Sequence, residues 1–482
     1  MKEERLIDDL IDEIRARDAA RELSEEWQIP VATRAYEAHL WDGQEKGVPV
    51  LHLEDVTGIP FVEGVTGVEE YQHRARARAG DGDLFAAGTE PAAGYEDYCR
   101  EKLGLGSPEF LLASDPDNPA AVASACLQAP VLERLAAVAR EAGGMLIHPY
   151  MSIQAVWRLA DKVAELSGTP VSVLGPPPPA LWAANDKANL SRVVEAALGP
   201  EWIVETHQSA VPKTLAGHLG EMARAHDWVG LKRTRCASAM GNLVLDSREL
   251  RGNTDEELHA LVESFLERTE WCGAEEVLVV EWRQTDLSPS TQLWIPPKGQ
   301  GLPVLEGVYE QLLEGPEKCF LGSRPSTLPA PLNRAMGQAS IQVCAVLQEL
   351  GYVGRCSFDF IVTGDVDGEF HAQITECNGR WGGTSTPMRL VDRLTGSPAR
   401  RPSYVATDTY LPQELLGMEF PELLELLDEH LFDAATGTGR FVLYNVGPLK
   451  KRGKFDIISL GASPEDARAG LDELLPSLLQ TP

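Results

Sequence analysis

Hydrophobic and polar positions alternate most regularly in the last third of the chain. Phe358, Phe360 and Val362 take one parity of a run and Ser357, Asp359 and Ile361 the other, while Phe370, Ala372, Ile374, Glu376 and Asn378 share one parity of a second run. Both have the two-residue period of strands. Between them, Thr363-Gly-Asp-Val-Asp-Gly368 supplies Gly and Asp residues that permit positive backbone dihedrals, so the pair predicts a hairpin folded near residue 366.

Upstream the period changes repeatedly. Residues 1–28, with Leu6, Ile7, Leu10, Ile11 and Ile14 on one stripe, predict an acidic amphipathic helix. Val48–Leu53, Met145–His148 and Val171–Leu174 read as strands, and Gly67–Ala79 and Ile153–Leu166 as helices. The alternation predicts an α/β layer structure. Gly175 and the four prolines after it continue neither element and set a boundary near residue 180; Pro398–Pro402 sets a second near residue 400. Beyond that, Arg440–Val446, a basic turn Lys450–Lys454, Phe455–Leu460 and a helix Pro464–Leu479 predict a small α+β unit. The expected division is therefore 1–180, 181–400 and 401–482, with no internal repeat.

Folding the hairpin brings Asp359 within a few residues of Glu376, and Asn378 shares the face of Glu376. Three hard oxygen donors converging in this way suit Mg²⁺ holding the phosphates of a nucleotide, with Arg380 in reach of a phosphoryl group. The bland alternative for each residue alone is a solvated hairpin end.

Composition narrows the choice of partners. The 482 residues are 43% hydrophobic, enough for about three packed domains. A balance of 43 basic to 73 acidic side chains, net −30, argues against nucleic acid and anionic membrane, which need basic surface. Eight cysteines form no Cys-x-x-Cys pair, so neither a zinc site nor a redox motif is expected. The N-terminus lacks the apolar core of a signal peptide, and no apolar run approaches a membrane span; a cytoplasmic protein is expected. No Gly-x4-Gly-Lys-Ser/Thr loop and no Gly-x-Gly-x-x-Gly turn after a strand occurs.

The order Asp359, turn, Glu376-x-Asn378-x-Arg380, then Gly382-Gly383, resembles the metal-binding hairpin of the ATP-grasp superfamily, which includes D-alanine:D-alanine ligase, biotin carboxylase and many carboxylate-amine ligases. The resemblance implies ATP, with Mg²⁺ or Mn²⁺ on Asp359, Glu376 and Asn378. It implies two lysines on the phosphates, matched by Lys187, at the start of a helical run, and Lys232, on the short strand Val229–Lys232. A small-residue loop closing over the phosphates is matched by Cys236-Ala-Ser238-Ala-Met240-Gly241, and an adenine-binding strand by Val277–Val280 followed by Glu281 and Trp282. Taken alone, such a loop is an ordinary turn and such a strand an ordinary buried one.

The three-part order, with Leu51–Phe61 and Tyr98–Leu105, is similar to peptide ligases of the pheganomycin type, which carry a pre-ATP-grasp domain. That implies a carboxylate activated as an acyl phosphate and captured by an amine, with Lys232 and Arg380 in the chemistry and the backbone of Gly382 and Gly383 beside the oxyanion. Amino acid or peptide substrates in specialised metabolism are expected, and a homodimer stays open. Kinases, acid-thiol ligases and non-catalytic ATP binders built on the same core are the alternatives. The arginines of Tyr71-Gln-His-Arg-Ala-Arg-Ala-Arg78 spread around a helix and are expected on an exposed face; the four cations of Lys450–Lys454 are expected in solvent, and His148 in a core or turn.

Overall fold

A computed structural model describes residues 11–44, 47–60, 67–236, 241–273, 275–315, 319–397, 399 and 401–480. Three sheets organise them. The first is parallel, in the order β3-β2-β1-β4-β5, from β1 (Val50–Leu53), β2 (Leu84–Ala87), β3 (Glu109–Leu112), β4 (Met145–Pro149) and β5 (Val171–Val173). Leu51, Leu53, Met145, Ile147, Val171 and Val173 turn one way, into a core shared with helices Ala129–Ala142 and Gln154–Ser167. The intervening residues turn the other way, toward the rest of the chain. The strand order reverses between β1 and β4, where parallel sheets commonly receive ligands.

The second sheet is antiparallel, in the order β6-β9-β7-β8, from β6 (Thr206–Ser209), β7 (Trp228–Arg233), β8 (Asn242–Asp246) and β9 (Val277–Glu281). Helices Pro212–Ala225 and Asp255–Arg268 cover one face.

The third, also antiparallel, has eight strands: β10 (Pro289–Ile295), β11 (Val304–Glu314), β12 (Cys319–Pro325), β13 (Gly354–Gly364), β14 (Phe370–Asn378), β15 (Ser403–Tyr410), β16 (Phe441–Asn445) and β17 (Phe455–Gly461), ordered β14-β13-β10-β11-β12-β15-β17-β16. Helix Ala330–Glu349 fills one face with Met336, Val343 and Leu347 against Phe358, Phe360 and Ile374. The sheet runs through the break near residue 400, since β15 pairs with β12 at Ser323 and Ala406.

Four sequence expectations change. Leu6, Ile7 and Leu10 lie outside the described residues, and the N-terminal helix, Glu13–Glu26, buries Ala16, Ala19, Ala20 and Leu23 while leaving Ile14 74% exposed. Small alanines let it approach helix Ala330–Glu349 closely, and that packing, not the longer apolar side chains, sets its face. The proline run starts a helix instead of separating elements: Pro178 and Pro179 take the first turn of Pro178–Asn185, where a missing N–H costs nothing.

Val68–Ala77 winds as a 3₁₀ helix wedged between β1, β2 and β16, so the arginines spread around it have no side in water. Arg74 and Arg78 both reach the buried carboxylate of Glu54, at 3.0 and 2.8 Å, and Arg76 reaches Glu96 at 2.7 Å and the Gly106 carbonyl at 2.8 Å. In the C-terminal hairpin Lys454 is fully buried and donates to the Tyr71 hydroxyl at 2.8 Å.

Candidate active site

The edge hairpin β13/β14 sets Asp359 directly opposite Glu376 and Ser357 opposite Asn378. Its register slips between Asp359 and Phe360, because Phe360 faces Ile374 and Thr375 is left as an extra residue. Phe370, Ala372 and Ile374 therefore point into the core, whereas Glu376 and Asn378 point out of the opposite face, contrary to the single parity expected from sequence. A bulge of this kind re-aims side chains. In unbroken register Glu376 would enter the apolar core beside Ile374; one inserted residue sends it to Asp359 instead.

Around this pair the charges converge. Asn378 donates to Asp359 Oδ2 at 3.0 Å. Lys187 Nζ lies 3.5 Å from Glu376 and 3.7 Å from Cys236 Sγ. Lys187 opens helix Lys187–Ala197, whose N-cap, Asp186, accepts from Ala188 N and Asn189 N and is held by Arg235 Nε at 2.8 Å. Burial pushes the Lys187 ammonium down, but the Cys236 and Glu376 side chains outweigh it and hold the pKa above the ordinary value. Burial, then the charge of Glu376, pushes Asp359 up to about 7, against Arg380, the Asn378 bond and Lys187. Two carboxylates facing each other in low dielectric favour a cation between them.

Lys232 on β7 stands 4.8 Å over the ring of Trp282. Burial, with Lys187 beside it, pushes Lys232 down to about 8. It is thus protonated at pH 7 and neutral above pH 8 in the free protein, so nucleotide affinity is expected to fall by about ten-fold from pH 7 to pH 9. Lys232→Arg should flatten that dependence; titration calorimetry of ATP at both values checks it, and a dependence unchanged by the substitution contradicts it.

The loop after β7 joins β7 to β8, with Lys232 opposite Asn242 and Arg233 N donating to Gly241 O at 2.9 Å. A side chain at Gly241 would come within 2.6 Å of Cys236 Sγ and 2.8 Å of its Cβ, so a larger residue there would displace Cys236. Ser238 and Met240 lie outside the described residues. Glu281 ends β9, but its N–H and that of Trp282 donate to the carbonyls of Glu205 and Trp228. An adenine edge would therefore meet their carbonyls or the segment from Arg283 onward. Arg283 also reaches the Glu281 carboxylate at 3.0 Å.

Arg380 donates to Asn185 Oδ1 at 3.4 Å and lies beside Tyr150, just past β4 where the parallel sheet reverses its order. Its Nε is buried with no partner among the described residues. Gly382 N is committed to Ser385 Oγ at 2.7 Å, and a side chain at Gly383 would meet Asp408 at 2.9 Å and Phe320 at 2.3 Å. Asn185 and Tyr150 were missed by sequence. Asn185 accepts from Gly379 N at 2.7 Å, and its Nδ2 is buried without a partner among the described residues; its place beside Asp186-Lys187 was the only available signal.

The set fits magnesium. Among the described residues no three His, Cys, Asp or Glu side chains gather as a metal cage. Mg²⁺ needs none where one or two carboxylates, an amide oxygen and substrate phosphates complete its shell, and Asp359, Glu376 and Asn378 are such donors.

Residues 72–166 match the family model described as the Pre ATP-grasp domain. The solved N5-carboxyaminoimidazole ribonucleotide synthetase from Thermus thermophilus is 15% identical, with a TM-score of 0.51 over 90% of this chain and 99% of its own. The likeness of fold runs over most of both chains. The chain has the ATP-grasp fold behind a pre-ATP-grasp domain. The biotin carboxylase domain of the Hydrogenobacter thermophilus 2-oxoglutarate carboxylase, a dimer in complex with MgADP, ADP and bicarbonate, gives 0.53 at 13% identity over 89% of each chain. Biotin carboxylase from Campylobacter jejuni gives 0.52 at 12% identity over 88% of this chain and 89% of its own. No curated protein matches by sequence. At these identities the likeness is one of fold. No helix among the described residues is long and apolar enough to cross a membrane.

Proposed function

We propose that the protein is an ATP-dependent carboxylate-amine ligase that forms an amide or peptide bond through an acyl phosphate and releases ADP and phosphate. The observation that carries this reading is the bulge at Thr375, which takes Glu376 out of the core and sets it against Asp359 within reach of Lys187.

Asp359, Glu376 and Asn378 would hold a magnesium or manganese ion, which when bound draws charge from the phosphate oxygens. Lys187 and Lys232 offset the remaining phosphate charge, and the segment from Glu281 and Trp282 onward receives the adenine. The carboxylate oxygen of the first substrate attacks the terminal phosphorus in line, and ADP leaves with the bonding pair. The amine then attacks the carbonyl carbon: the C–N bond forms, the C–O bond to the phosphoryl group breaks, and phosphate leaves with that pair and takes the proton shed by nitrogen. Arg380, whose buried Nε has no partner among the described residues, and the backbone at Gly383 stand where the oxyanion develops; Gly382 N is already donated to Ser385. Acyl phosphates hydrolyse readily, so the Cys236–Gly241 loop has a physical reason to close over them.

Amino acid or peptide substrates of specialised metabolism, as in pheganomycin-type ligases, fit best because the chain joins a pre-ATP-grasp domain to this core. A screen of amino acid and peptide pairs for ATP-dependent phosphate release, followed by mass measurement, tests the reading. A condensed product with ADP supports it. A phosphorylated acid without condensation, or a thioester, would replace it by a kinase or an acid-thiol ligase.

A further inference from the structure

A cavity of about 1080 Å³ separates the second face of the parallel sheet from the eight-stranded sheet. His52 and His148, opposite one another on β1 and β4, form its floor, with rings 5.3 Å apart. Trp294 and Arg355, opposite one another on β10 and β13, form the facing wall. Helix Ser385–Thr395 lines a side with Thr386, Arg389 and Arg393, which share a stripe at i, i+3 and i+7. Trp381, next to Arg380, also lines the cavity and donates to His148 Nε2 at 3.3 Å. The cavity thus adjoins Arg380, the neighbour of Trp381 in the chain.

In a chain of net charge −30 this cavity is lined by four arginines, Arg78, Arg355, Arg389 and Arg393, against three acids, Asp42, Glu306 and Asp392. Arg355 is paired with Glu306, and Arg78 with Glu54. Arg393 gives its donors to the carbonyls of Ala77, Ala79 and Leu105. Arg389 is different: 47% of its side chain is accessible, and its nearest described carboxylates, Asp392 and Glu306, lie at 3.9 and 4.0 Å. Its planar fork is available to an anion. The histidines stay neutral. Burial, then His52 and the charges of Arg78, Arg355 and Arg389, push His148 well below its ordinary value. Among the uncharged side chains of the lining, two buried polar atoms, His52 Nδ1 and Thr386 Oγ1, lack a partner among the described residues. Trp41, Trp294 and Trp381 add flat apolar surface, Trp41 and Trp294 edge to face at 6.1 Å. A carboxylate attached to a bulky apolar body matches Arg389, the Thr386 hydroxyl and the tryptophans, and an N–H on the same molecule matches His52 Nδ1.

Resting on the ligase reading, we propose that the cavity holds the amine substrate by that substrate's own carboxylate, gripped by Arg389 with the Thr386 hydroxyl as a second donor, while His52 Nδ1, an acceptor because Nε2 faces Asp83 at 3.5 Å, takes an N–H of the same substrate. The acceptor is then an amino acid or peptide with a large apolar side chain, not a simple amine. The separation has a chemical use: an acceptor carboxylate kept behind Trp381 cannot take the terminal phosphoryl group in place of the intended donor.

The test is titration calorimetry of the full chain, saturated with MgADP, against a panel of Xaa-Phe dipeptides and their C-terminal amides. At least one free acid should bind ten-fold or more tightly than its amide, a gap of the size expected for a charge-assisted bond. Arg389→Ala, at an exposed position, should bring acid and amide to the same affinity while MgATP affinity is unchanged; Arg389→Lys should retain part of the gap. Equal binding of acids and amides, no panel member bound by a protein that binds MgATP, or an Arg389→Ala variant that still discriminates overturns the proposal. A protein that fails to bind MgATP fails the ligase reading itself, and this inference falls with it.

Discussion

Glu376→Gln is expected to lower ATP-dependent ADP formation by about three orders of magnitude while leaving the fold intact. The substitution keeps the size and the half-exposed position of the side chain, so no core contact is lost. It removes one of two facing carboxylates and the partner of Lys187 at 3.5 Å. Phosphoryl transfer depends on neutralising charge on the phosphate oxygens, and losing a single preorganised electrostatic group there costs about 10²–10³ in rate; the loss of a metal ligand adds to it. A coupled assay of ADP release, with circular dichroism to confirm folding, checks this. Turnover within a few-fold of the parent would remove Glu376 from the site.

Glu54→Ala should have the largest effect on stability. Glu54 is 1% exposed and is the shared partner of Arg74 and Arg78, both buried. Removing it leaves two guanidinium groups in the interior without the carboxylate both of them bond, where breaking even one buried pair costs about 3–5 kcal/mol. Arg74 also lies over the Tyr71 ring at 4.1 Å, and Tyr71 accepts from buried Lys454, so the loss would loosen the junction of β1, the 3₁₀ helix and the C-terminal hairpin. Urea unfolding should show a large drop in midpoint for Glu54→Ala; a shift worth less than about 1 kcal/mol would mean that water already solvates these arginines.

The hairpin carrying the candidate site was legible because two alternating runs flanked a loop of Gly and Asp, and local chemistry decides such a turn. The lysines were found through the family resemblance, which asks for two in order upstream of the hairpin, and the elements expected around them formed: Lys187 opens its helix and Lys232 lies near the end of β7. What depended on distant parts of the chain was not. The bulge at Thr375 exists because Glu376 must leave the core, and nothing in the alternating pattern itself announces an inserted residue. The arginine cluster looked like surface because its counter-charge, Glu54, lies twenty residues away on another element. Lys454 looked solvated because Tyr71 is 383 residues distant. The arginine-lined cavity was illegible for the same reason, since its floor and wall come from strands of two different sheets.

Anomalous diffraction from crystals grown with Mn²⁺ and ADP tests the central claim most directly. An anomalous peak between Asp359 and Glu376, about 2.1 Å from an oxygen of each, with the nucleotide phosphates continuing toward Lys187 and Lys232, is the predicted result. Nucleotide bound elsewhere, or bound with no metal between those two carboxylates, would contradict it.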